Sequence, residues 1–239
     1  MQRKSTIKAL LGDFTLEDNH LYGVNRTTFE IYVGGEIDAV REARRFKKDE
    51  PGVDHVMANR FEKNLRILSS IDPKRQITVI QATCGGYWEE GMQMFSALLT
   101  CPNPTLVIAA KWARSMSSII PLAADKFLIR PPARFMIHRG TYEFFGTEQE
   151  ADVSEKERQI AHRTMMRIYT TRLKEQGNSK KLPVAVIRKN IEAEIAKKID
   201  VWMSAQEAVE RGYVDGLFTG QEVSVKKNLE RRRRLLNVL

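Results

Sequence analysis

Apolar positions in this chain fall into short alternating or continuous runs, separated by longer stretches in which they recur at helical spacing. Phe29-Glu30-Ile31-Tyr32-Val33 alternates and stops at Gly34-Gly35, which predicts a strand and a turn. Between residues 53 and 70, Val56, Phe61, Leu65 and Leu68 recur at mostly helical intervals. Residues 77–81 read as a second strand. Residues 88–99 read as a helix with Met92, Phe95 and Leu99 on one side, and residues 105–109 as a third strand. Strand, glycine turn, helix, strand is a βαβ unit, so the expected class is α/β with an at least partly parallel sheet.

The same reading gives a short apolar helix at 115–122 and strands at 127–129 and 135–137. A long charged helix follows from Ala151 to Gln176, and Gly177 is a fitting stop. Lys180-Lys181-Leu182-Pro183 breaks the chain, with Pro183 suited to the first turn of the next helix. Ser204-Ala205-Gln206-Glu207 is a capping box whose helix closes at Gly212, and a last strand is predicted at 214–218. No repeat or low-complexity linker divides the chain. The expectation is one domain over 28–222, a polar N-terminal arm over 1–27, and a basic, exposed C-terminal tail over 223–239.

Composition narrows the function classes. At 239 residues, 42% of them hydrophobic and 29% charged, the chain can bury one large α/β core. The net charge of +9 raises the question of nucleic acid, but the basic residues are dispersed. Only Arg231 to Arg234 form a tight run, with no interleaved aromatics, so a solvated tail is expected and nucleic-acid binding is not. The two cysteines, Cys84 and Cys101, cannot build a disulfide framework and suit a reducing compartment. No apolar run reaches the ~18 residues of a membrane span, and the interrupted Ile7-Lys8-Ala9-Leu10-Leu11 is too short for a signal core. The expected location is the cytoplasm, with no membrane partner.

Three segments carry candidate chemistry. Gly85 and Gly86 stand where a strand becomes a helix, a turn at which backbone N–H groups approach a substrate oxygen closely; alone, it is equally a tight turn. The spaced glycines and acidic partner of a dinucleotide site are missing. Ser115 lies between a buried strand and a helix start, as a nucleophile does, although G-x-S-x-G is absent. Helix capping is its alternative role, and Ser117 and Ser118 compete for both. His138 closes an apolar strand, a setting that would hold it rigidly at the sheet edge, with a satisfied structural histidine as the alternative; His20, His55 and His162 lie outside such a setting.

From Phe29 to Phe218 the order of these pieces resembles the proteolytic subunit of the Clp protease, a serine peptidase. The matching segments are Cys84-Gly85-Gly86 with Gly91-Met92, Ala113-Arg114-Ser115-Met116, and Phe135-Met136-Ile137-His138. A fourth runs from Asp200-Val201-Trp202-Met203-Ser204-Ala205-Gln206-Glu207-Ala208 to Gly212-Tyr213-Val214-Asp215. The resemblance implies the Clp protease and crotonase-like fold: repeated ββα units, a mostly parallel sheet and a protruding long helix over 151–177. It implies Ser115 as nucleophile, His138 as general base and then acid, and Asp200 as the carboxylate that orients the imidazole. It further implies the backbone of Gly85 and Met116 as oxyanion hole, and a peptide bound in extended form near Gly86 and along an exposed strand at Phe144-Phe145. No cofactor or metal is expected. Polypeptides are the expected substrates, and the expected assembly is homo-oligomeric rings, stacked through the long helix, enclosing the active sites and fed by a separate AAA+ ATP-dependent unfoldase. The chain itself carries no phosphate-binding loop.

The chain departs from the family's usual pattern at several points. Thr83-Cys84 replaces Ser-Pro, Lys111 replaces a glycine, and Arg139-Gly140 replaces Gln-Pro. The stretch between His138 and Asp200 is longer than usual. Such divergence resembles phage-encoded or accessory members, some of which look like head-maturation proteases. The competing readings are a catalytically silent or latent ring subunit, a crotonase-fold acyl-CoA enzyme, and a Ser-Lys dyad peptidase using Lys111.

Overall fold

The computed structural model describes residues 16–34 and 52–239. In chain order the elements begin α1 (Leu16–Tyr22), β1 (Val24–Asn25), β2 (Glu30–Val33), α2 (His55–Ile71), β3 (Ile77–Gln81), α3 (Trp88–Thr100) and β4 (Thr105–Ala109). They continue with β5 (Trp112–Arg114), α4 (Met116–Ile119), a 3-10 turn (Ile120–Ala123), β6 (Lys126–Ile129) and β7 (Arg134–Ile137). The last are α5 (Glu148–Glu175), α6 (Val184–Lys198), β8 (Val201–Ser204), α7 (Ala205–Arg211), β9 (Gly216–Leu217) and α8 (Leu229–Leu236).

The main sheet runs β1-β2-β3-β4-β6-β9. Only the β1–β2 edge is antiparallel; β2 to β9 add in parallel, as the βαβ reading requires. All five residues of β4 are buried, which is why it reads as a continuous apolar run. Helix α2 starts at Asp54, whose carboxylate accepts the Met57 N–H at 2.8 Å, and buries Phe61, Leu65 and Leu68. Helix α3 buries Met94, Phe95, Leu98 and Leu99. In α5 the buried residues begin only at Met165, so its N-terminal half stands clear of the core.

A second sheet, β5-β7-β8, was not foreseen as a unit. Strand β5 pairs parallel with β7, and β8 antiparallel with β7. Pro183 caps α6 rather than entering its first turn. The predicted last strand is confined to Gly216–Leu217.

Three expectations differ from what the molecule shows. Within the expected N-terminal arm, residues 16–27 carry α1 and the sheet edge β1; residues 1–15 lie outside the described residues. Residues 138–146 contain no strand, so the exposed strand expected at Phe144-Phe145 is an irregular loop, with Phe145 94% exposed.

The C-terminal tail is not a solvated arm either. Val223 and Val225 pack on an apolar cluster of Leu106, Ile108 and Leu128. The side chain of Gln76 holds this segment at the Val223 carbonyl and the Val225 N–H. Arg231 and Arg232 are then buried. Arg232 donates to both oxygens of Asp125, at 2.9 and 2.5 Å, while Arg231 reaches Glu175 and Asp215, each at 2.9 Å. A run of four arginines therefore splits: two neutralise buried acids, and Arg233 and Arg234 face outward. Burial raises the Asp125 and Asp215 carboxyls, but their arginines outweigh it, and Asp215 is held down at about 2.

Candidate active site

The small sheet brings the sequence-predicted triad together. Arg114 lies opposite Met136 in the parallel pair, and Ile137 opposite Val201 in the antiparallel one. Each strand then ends, and the next residue along is Ser115 after β5 and His138 after β7. Asp200 immediately precedes β8. Three residues far apart in sequence thus meet at one end of one sheet. The Ser115 Oγ and His138 Nε2 are 2.9 Å apart, and His138 Nδ1 lies 3.4 Å from Asp200 Oδ1.

Ser115 occupies a strained turn, with φ 54° and ψ −134° between β5 and α4. A non-glycine residue in such a region costs about 1–3 kcal/mol and persists where its surroundings impose it. Those surroundings use up the rival serines. The Ser117 hydroxyl bridges the Arg114 N–H and C=O, at 2.9 and 2.8 Å. Ser118 donates to the Ser115 carbonyl at 2.7 Å and contacts the Tyr169 hydroxyl at 2.7 Å. Both are fully buried, which leaves Ser115 as the serine facing the histidine. Tyr169 on α5, which no local sequence pattern signals, ties the long helix through Ser118 to the backbone of Ser115.

Gly85 faces this turn at close range. A Cβ at Gly85 would lie 2.7 Å from Ser115 Cβ and 2.9 Å from the Met116 nitrogen, and φ is +99°. Only glycine fits there. Met116 is the first residue of α4, so its N–H has no partner within the helix. Gly86 bridges Val53 in parallel: Val53 N–H donates to the Gly85 carbonyl, and Tyr87 N–H to the Val53 carbonyl. By strand alternation, the N–H and C=O of Gly86 itself point to the opposite side.

His138 is partly shielded, with 18% of its side chain exposed, whereas 46% of Asp200 is exposed. Burial pushes the imidazole pKa below its ordinary value, and the Asp200 carboxylate partly restores it. The ring is therefore neutral at pH 7 and able to accept a proton. Asp200 follows a tight turn: its N–H donates to the Lys198 carbonyl at 2.8 Å across Ile199, which sits at φ 63° and ψ −69°. That three-residue turn is strained for a β-branched residue. The Lys111 ammonium lies 4.1 Å above the Trp112 ring. Phe144 and Phe145 are in the loop beyond His138, away from any strand.

No helix among the described residues is long and apolar enough to cross a membrane. A family model described as Clp protease matches residues 48–221, well over half of the chain. The chain is 29% identical over 178 residues to "ATP-dependent Clp protease proteolytic subunit 1" of Chlamydia trachomatis, covering 74% of this chain and 86% of that protein. It is 27% identical over 165 residues to "ATP-dependent Clp protease proteolytic subunit" of Deinococcus radiodurans, covering 68% and 74%. To subunit 3 of Streptomyces coelicolor it is 29% identical over 165 residues, covering 68% and 70%.

Proposed function

Because this chain belongs to the Clp protease family, we propose that it is a serine endopeptidase that cleaves peptide bonds through an acyl-enzyme on Ser115. The observation that carries the reading is the 2.9 Å contact between Ser115 and His138 at the end of the small sheet. His138 takes the Ser115 proton as the oxygen attacks the scissile carbonyl. Asp200 accepts the hydrogen bond of the other ring nitrogen and stabilises the imidazolium. The tetrahedral oxyanion is assigned to the N–H groups of Gly85 and Met116, and each such donor contributes a few kcal/mol, about 3, to the transition state. His138 returns the proton to the leaving amine, a water then attacks the ester, and the second half retraces the first. The side of Gly86 turned away from Val53 is assigned to the peptide backbone, with the loop at Phe144 and Phe145 as the opposite wall.

The relatives are named ATP-dependent proteolytic subunits. On that basis we assign the chain to a ring oligomer in the cytoplasm, supplied by a separate unfoldase or acting in maturation of phage proteins. Native mass spectrometry tests the assembly. Labelling by a fluorophosphonate probe tests the chemistry. One adduct on Ser115, abolished in Ser115→Ala and His138→Ala, is the expected result. A folded protein that takes no adduct refutes the peptidase and leaves a silent ring subunit.

A further inference from the structure

A cavity of about 430 Å³ opens between α5, α6 and the residue that follows His138. Its wall is strongly cationic. Arg139, Arg158, Arg163 and Arg188 line it together with His162, against the single lining carboxylate of Glu192. Two of these guanidiniums are already engaged. Arg158 makes two bonds of 2.6 Å to Glu155, and Arg188 one of 2.8 Å to Glu192. Arg139 and Arg163 make no ion pair within 4.0 Å among the described residues, although Arg139 acts on Glu155 from farther away. Four guanidiniums less the two carboxylates of Glu155 and Glu192 leave two positive charges uncompensated. Burial and then Arg139 hold the His162 imidazole below its ordinary pKa, so the ring adds no charge at pH 7.

The cavity adjoins the triad along the chain, although no triad residue lines it. Arg139 is the next residue after His138, and α6 runs through the Ile199 turn directly into Asp200. Its volume suits a side chain of a bound peptide. An apolar side chain placed there would strip water from two unpaired guanidiniums with nothing in return, and a basic one would be repelled. A carboxylate would complete the charge balance, through the forked geometry that arginine offers.

Resting on the peptidase reading above, we propose that this cavity is a specificity pocket for an acidic side chain, glutamate or aspartate, on a residue flanking the scissile bond. Arg139 and Arg163 are the groups that receive it.

Two measurements test the pocket. In the first, the Ser115→Ala protein, which binds but does not cleave, is titrated with fluorescent peptides that differ only in glutamate against glutamine. The glutamate peptide should bind at least fivefold more tightly. That difference should vanish in Arg139→Gln/Arg163→Gln and persist in Lys63→Gln/Lys74→Gln, which removes the same charge elsewhere on the surface. Equal binding of the two peptides overturns the proposal, as does an equal loss in both double variants. In the second, the active protein digests a peptide mixture, and the cleavage sites are read by mass spectrometry. Enrichment of Glu or Asp at a flanking position supports the pocket; enrichment of Leu, Phe or Lys there sinks it. Ser115 labelling without acid preference removes the pocket alone. Acid-selective binding without labelling keeps the pocket and removes the peptidase.

Discussion

Replacing Asp215 by asparagine tests how much the buried charge network holds the fold together. Asp215 Oδ1 lies 2.7 Å from Arg172 Nη2, an ion pair without good hydrogen-bond alignment, and accepts from Arg231 Nη2 at 2.9 Å. Its Oδ2 accepts the Phe127 N–H at 2.7 Å, at the start of β6. Asparagine keeps the shape but loses the charge, and it turns a donor toward either an arginine or Phe127. Arg172, only 2% exposed, would be left with the Tyr213 carbonyl and, as its one counter-charge, Glu175, each at 3.2 Å. The folded carboxyl titrates at about 2 against an ordinary 3.8, which corresponds to about 2–3 kcal/mol at neutral pH. Uncoupling a buried pair typically costs about 3–5 kcal/mol, so the two routes meet near 3 kcal/mol. Because the folded pKa is depressed, this stabilisation is complete above about pH 4 and is lost as pH falls through about 2. Urea unfolding at fixed protein concentration, repeated from pH 7 to pH 2, reads both effects. The gap between native and Asp215→Asn proteins should be near 3 kcal/mol at pH 7 and close steadily below pH 4. A gap under about 1 kcal/mol, or one that does not change with pH, would refute the reasoning.

Other consequences are as direct. Gly85→Ala drives a Cβ into the Ser115 turn and should lower probe labelling at least 100-fold, whereas Gly140→Ala, with open space around it and φ +89°, should cost only about 1 kcal/mol of stability. Asp200→Asn should reduce kcat by roughly 10²–10⁴. It should also move the acid limb of the kcat/KM profile to lower pH, since Asp200 is what raises the His138 pKa; an unmoved limb would mean the two are uncoupled. Ile199→Gly relieves a strained turn at a residue 76% exposed and should stabilise the protein by about 1 kcal/mol, seen as a melting temperature higher by a few degrees.

The βαβ unit, the Ser204 capping box and the long helix were legible because each is written in local periodicity or in a four-residue signature. Strand β5 was not: Trp112-Ala113-Arg114 is too short to alternate visibly, and only its pairing with β7 makes it a strand. Ser115 and His138 could be singled out by their settings between apolar runs. Asp200 could not, and it entered only through the family resemblance; the signal lies in the register of β8 against β7, which no single segment reveals. The arginine run misled for a related reason. A charge is read as solvated when its partners are out of sight, and Asp125 lies 107 residues before Arg232.

Asp125, Glu175 and Asp215 are built into the body of the domain, yet the cations that neutralise two faces of that cluster, Arg231 and Arg232, lie in α8, the last described element. During synthesis the strands and helices before them can collapse early; Arg172 is then at hand for Glu175 and Asp215, but Asp125 lacks its counter-charge until this helix has left the ribosome. The C-terminal helix would thus serve as a latch: a chain stopped before it would carry a sheet of the right pattern with the buried Asp125 left without its arginine. Only a chain stopped still earlier, before Val223, would in addition lay open the apolar face of Leu106, Ile108 and Leu128.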